Sequence, residues 1–148
     1  RWFDGDLGQI NAPNLGAKIN AATDVVSAAG QQLVKAYPGT SEVYVVGLGQ
    51  GGAIAYRLAA RGEVAKVLSI AGGLPPDLRL GEGKTTKTNV WAVHGSNDQV
   101  VPLPIDQQTI ESFIFKTPSE AKLSIVNGGV HTLQSLQAQV GAALVEML

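Results

Sequence analysis

The chain has 148 residues, 45 % hydrophobic and only 16 % charged, which is enough apolar material for one folded core and too little length for two ordinary domains. Eleven Lys plus Arg against twelve Asp plus Glu leave a net charge of −1, so there is no general electrostatic pull toward nucleic acid or anionic lipid. The absence of cysteine excludes disulfides, thiolate nucleophiles and Cys-rich metal sites, and leaves the compartment open.

From Pro13 onward, Leu15, Ile19, Ala22, Val26, Ala29 and Leu33 recur at spacings of three and four, which predicts an amphipathic helix ended by Pro38 and Gly39. Glu42 to Gly47 is a β-branched run that leads into glycines, and Ala53 to Arg61 is alanine-rich without a breaker: strand, tight turn, helix. Ala65 to Ala71 is predicted as a second strand and Asn89 to His94 as a third, with a polar, glycine-bearing loop, Pro75 to Thr88, between them. After Pro104, Ile105, Ile110, Phe113 and Ile114 predict a helix that stops before Pro118. Ala121 to Val126 is the fourth strand, and Leu133, Leu136, Val140, Leu144 and Met147 mark the last helix. Strands that are nearly all apolar and alternate with helices predict an α/β fold, a parallel sheet with helices on both faces. The longest apolar run, Val64 to Leu74, is broken by Lys66, Gly72 and Gly73 and is far short of the ~20 residues of a membrane span.

In such sheets ligands bind at the carboxyl ends of the strands, and the unusual residues lie there. Gly47 to Gly52 follows the first strand, His94-Gly95-Ser96-Asn97-Asp98 closes the third, and Gly128 to His131 follows the fourth. A carboxylate and an imidazole thus stand on neighbouring strand ends. Each has a plain alternative: Asp98 as a turn residue, His131 as a loop histidine bonded to backbone. Gly47 to Gly52 also satisfies Gly-x-Gly-x-x-Gly, the dinucleotide fingerprint, but Ser69-Ile70-Ala71 at the end of the next strand lacks the acid that would hold a ribose. His94 and His131, far apart and without cysteine, make a poor metal site, and no metal is expected. Arg57 and Arg61, one turn apart, are expected on a solvated helix face.

In chain order, these segments resemble the α/β-hydrolase superfamily, and within it the carboxylesterase, phospholipase and acyl-protein thioesterase family. Trp2-Phe3-Asp4 resembles the Trp-Phe-Asp after an earlier active-site strand, and Gly47 to Gly52 the Gly-x-Ser-Gln-Gly-Gly nucleophile elbow. Ala71 to Pro75 is similar to the Ser-Gly-x-Leu-Pro turn, His94 to Pro102 to the His-Gly-x-x-Asp-x-x-Val-Pro loop, and Val130-His131 to the histidine loop. The order nucleophile, Asp, His is the one that fold uses. The resemblance implies ester or thioester hydrolysis through an acyl-enzyme without a cofactor, with Asp98 as the triad carboxylate, His131 as general base and the Gln50 backbone N–H as an oxyanion donor. His94 would shape the turn carrying Asp98. Trp2, Leu74 and Pro75 would either line an acyl pocket or pack.

Position 49, where the resemblance places the nucleophile, is glycine. Glycine suits a turn with positive φ but has no oxygen for His131 to deprotonate. A naturally changed residue and an introduced replacement both fit. The chain starts at Arg1 with no Met and no apolar signal core, and the loop that supplies the other half of the family's oxyanion hole would lie upstream. The expectation is therefore a single domain over 1–148 corresponding to the C-terminal part of a hydrolase fold with its N-terminal strands absent. The functions left open are a serine-hydrolase relative inactive as written, a pseudoenzyme serving as an interaction subunit, its sheet completed by a partner or a further segment, and, behind these, a dinucleotide-binding module.

Overall fold

The computed structural model describes residues 1–148. The three-and-four spacing folds as α1 (Leu15–Ala36), buried at Leu15, Ile19 and Ala22 and closed by the Tyr37 N–H on the Leu33 carbonyl ahead of Pro38. Then follow β1 (Tyr44–Leu48), α2 (Gln50–Arg61), β2 (Lys66–Ile70), β3 (Asn89–Gly95), α3 (Leu103–Glu111), β4 (Lys122–Val126) and α4 (Leu133–Met147). The polar loop between β2 and β3 carries one 3₁₀ turn, Pro76–Leu78. No helix is long and apolar enough to cross a membrane.

The four strands are all parallel, in the order β1-β2-β3-β4, so every strand ends at the same edge of the sheet. Residues from α1, α2 and α3 form one apolar core with Val67, Val90 and Ala92, while Leu136, Val140, Ala143 and Met147 of α4 cover Leu68, Ile70 and Val93 on the other face. Each fully buried Leu there contributes about 1.5–3 kcal/mol. Tyr56 and Phe113 stack at 5.8 Å between α2 and the turn after α3.

β2 and β3 are covered on both faces, as their apolar runs predict, while β1 and β4 are edges, and Val46 is 49 % and Leu48 43 % exposed, as expected for a first strand that lacks a neighbour on one side. Three expectations need correction. α2 starts at Gln50, taking Gly51 and Gly52 into the helix, and at 52 only glycine fits, since a Cβ there would stand 2.7 Å from Ser69 Oγ. α3 stops at Glu111, short of Ile114, and the turns beyond it leave Phe115 at positive φ and in solvent. Arg57 and Arg61 are also not merely solvated. Arg57 bonds Asn20, and Arg61 bonds Asn20 and Asp24, tying α2 to α1.

Candidate active site

The turn after β1 is built by close approach. A Cβ at Gly47 would lie 2.0 Å from the Gly51 carbonyl oxygen, so strand and helix can meet this tightly only over a glycine. Gly49 forms the tip at φ 57°, ψ −117°, its N–H donating to the Ile70 carbonyl of β2 and its carbonyl accepting from Ala53. A side chain is strained in that conformation by about 1–3 kcal/mol. The Gln50 N–H, in the first turn of α2, has no carbonyl within the helix to bond and makes no backbone bond elsewhere. The Gln50 side chain has a second task. Its Oε1 accepts the N–H groups of Trp2 and Phe3, and its Nε2 donates to the carbonyls of Phe3 and Gly5, which pins the N-terminal segment beside the turn.

The loops after β3 and β4 are sewn together. Ser96 N–H bonds the Val126 carbonyl, Asn97 N–H the Gly129 carbonyl, and Gly128 N–H the Ser96 Oγ. This brings Asp98 Oδ2 to 2.7 Å from His131 Nδ1. Asp98 Oδ1 accepts the N–H groups of Val100 and Val101, so the turn role and the histidine-orienting role belong to one residue, one oxygen each. The carboxylate is buried and the imidazole partly exposed. Thr132 caps α4 by accepting the Ser135 N–H, and Ser135 Oγ donates to the Val130 carbonyl, which fixes the backbone on both sides of His131.

With Nδ1 on Asp98, the opposite nitrogen faces the glycine turn. A Cβ built on Gly49 would lie 3.2 Å from His131 Nε2 and 3.6 Å from Cε1, with nothing else within 4 Å. The expected three positions, Gly49, Asp98 and His131, therefore converge, although they leave three different strand ends. Trp2 is 58 % exposed beside them and, with Val46, Leu48, Gly51 and Ile54, lines an apolar groove of about 300 Å³. Leu74 and Pro75 do not line this groove. Both are buried, Leu74 within the main core with its N–H on Thr109 Oγ1.

Behind Asp98 lies a cluster that the sequence reading only half anticipated. His94 is fully buried, as a structural residue should be, with Nδ1 2.6 Å from Asp106 Oδ2 and Nε2 2.8 Å from the Val101 carbonyl. Tyr56 Oη donates to the other Asp106 oxygen. Burial, and then the Asp106 charge and hydrogen bond, push the Tyr56 hydroxyl well above its ordinary range. Asp106 was legible in principle: Ile105, Asp106, Thr109 and Ile110 share the buried face of α3, and an acid on such a face needs a partner.

A sequence profile of the phospholipase/carboxylesterase family matches residues 1–141. The chain belongs to that family. Among solved structures, esterase PE8 superposes with a TM-score of 0.77 at 25 % identity, the alignment covering 100 % of this chain and 70 % of that one. Zea mays acyl-protein thioesterase 2 gives 0.73 at 21 % identity over 98 % of this chain and 71 % of its own. Arabidopsis thaliana SOBER1 gives 0.73 at 18 % over 98 % and 72 %; these two likenesses concern the fold. No curated protein matches by sequence. Membership of the phospholipase/carboxylesterase family leaves the dinucleotide reading of Gly47 to Gly52 without support, since the end of β2 carries no acid.

Proposed function

We propose that this family member has kept the proton-transfer half of an ester- or thioester-hydrolysing site and lost its nucleophile at Gly49. The observation that carries the reading is the 3.2 Å between a Cβ at position 49 and His131 Nε2, which would place a serine hydroxyl within reach of the ring. The chemistry needs no cofactor. His131 would take the hydroxyl proton as the oxygen attacks the acyl carbon, then return it to the departing alcohol or thiol; a water deprotonated by the same ring would release the acid. Asp98 would hold the ring with Nδ1–H inward and balance the imidazolium. The Gln50 N–H is the donor for the developing oxyanion, and the apolar groove at Trp2 suits an acyl chain.

Without an oxygen at position 49 the double displacement cannot begin, and removal of such a nucleophile lowers kcat by about 10⁶. The chain as written is therefore inactive as an esterase. The test is Gly49→Ser assayed with p-nitrophenyl esters: cleavage above that of Gly49→Ser with His131→Ala supports the reading, and equal rates refute it.

The exposed apolar edge at β1, Val46 and Leu48 with Trp2 nearby, favours a second reading, an interaction subunit whose partner or further segment pairs with that edge. A monomeric native mass for the isolated chain counts against it, and stable association with another chain supports it.

A further inference from the structure

The buried polar cluster behind Asp98 is unused by the chemistry above, and its geometry limits where its protons lie. The Val101 carbonyl can only accept, so His94 Nε2 must carry a hydrogen. Asp106 Oδ1 already accepts from Tyr56, and when the carboxylate is ionised Oδ2 accepts as well, in which case Nδ1 carries a hydrogen too. His94 Nε2 also lies 3.4 Å from Asp98 Oδ2, the same oxygen that receives His131 Nδ1. We propose that His94 is a standing imidazolium and a positioning residue: paired with Asp106, it counters the charge of Asp98 from behind and steadies the oxygen that orients His131. The inference rests on the reading of Asp98 and His131 as a proton-transfer pair.

Burial opposes a charge on His94, but the hydrogen bond and charge of Asp106, the Val101 carbonyl and the charge of Asp98 outweigh it and hold the ring above its ordinary pKa. Burial also raises Asp106, against the bonds from His94 and Tyr56. With Tyr56 donating to Asp106, and the Val101 carbonyl and the Asp98 carboxylate both beside His94 Nε2, the proton shared between Asp106 and Nδ1 belongs on the ring. The groups around it are Asp106 on α3, Asp98 on the loop after β3, Tyr56 on α2 behind Asp106, and His131 on the loop after β4 behind Asp98. A cation fixed behind Asp98 weakens the field with which that carboxylate holds a proton on His131. The ring can then hand the proton on to a leaving group.

Only two histidines exist, so imidazole nitrogen NMR of the native chain reads each ring separately. His94 should show two protonated nitrogens at about pH 7, where a histidine of ordinary pKa carries mostly one. Asp106→Asn should leave it neutral with one. In a Gly49→Ser background, Asp106→Asn should move the acidic limb of ester cleavage to higher pH by roughly half a unit or more, and Asp106→Glu should move it back. A His94 with one protonated nitrogen throughout overturns the proposal, as does an unmoved acidic limb. The native-chain spectrum decides the protonation state even where Asp106→Asn does not fold. Absence of esterase activity in Gly49→Ser removes the proton-transfer reading and the positioning role with it, while a doubly protonated His94 would then stand alone as an ion pair.

Discussion

Gly49 and His131 face each other so closely that a single carbon added at the first would touch the ring of the second, at 3.2 Å from Nε2. The contact is tight and φ at position 49 is 57°, so Gly49→Ser should lose stability as it gains chemistry. The expected cost is about 1–3 kcal/mol. Urea denaturation of the native chain, Gly49→Ser and Gly49→Ala measures it. Both variants should fall by similar amounts, and only the serine variant should cleave esters. A Gly49→Ser chain as stable as the native one would show that the turn relaxes away from the conformation described.

Asp98 contributes orientation and charge to His131, so Asp98→Asn in the Gly49→Ser background should reduce kcat by about 10⁴ while leaving KM nearly unchanged. The amide would present a donor to Nδ1 and turn the ring to the wrong tautomer. Steady-state kinetics with a p-nitrophenyl ester check this, and a drop below tenfold would mean that the ring is held by other contacts.

The Gln50 side chain makes four bonds to the backbone of residues 2–5. Gln50→Ala should cost roughly 1–3 kcal/mol and, more tellingly, speed amide exchange at Trp2 and Phe3 with little change in α2. The Gln50 backbone N–H survives this change, so in the Gly49→Ser background KM should suffer more than kcat. Hydrogen exchange and kinetics on the same variant separate the two tasks of the residue.

The raised pKa of His94 predicts a pH dependence of stability. A histidine whose folded pKa exceeds its unfolded value of about 6.5 adds stability that is complete below 6.5 and lost as pH rises through the folded value. The denaturation midpoint of the native chain should therefore fall on the alkaline side of 6.5. Asp106→Asn should lack that slope, having lost the carboxylate that raises the ring. Denaturant titrations across pH, native against variant, provide the measurement.

Much of the site was legible because its residues stand at strand ends in a fixed order. Gly49, Asp98 and His131 could be named from spacing and from the family resemblance, and the parallel sheet then carries all three to one edge. Leu74 and Pro75 were open between pocket and packing in the sequence, and it is the contact of Leu74 with the core and with Thr109 of α3, a distant segment, that buries it. Arg57 and Arg61 had the spacing of a solvated face, and α1 happens to lie where their guanidinium groups can bond Asn20 and Asp24.

From its own sequence this protein's α/β class, the order of its elements and the glycine-rich turn around position 49 were all determined, because periodicity, breakers and glycines are local facts of a chain. Only the tertiary structure decided that His94 faces two carboxylates, that Arg57 and Arg61 bond α1, and that His131 Nε2 looks at position 49. A buried polar group takes whichever partners packing delivers from distant segments, and no local pattern encodes that choice.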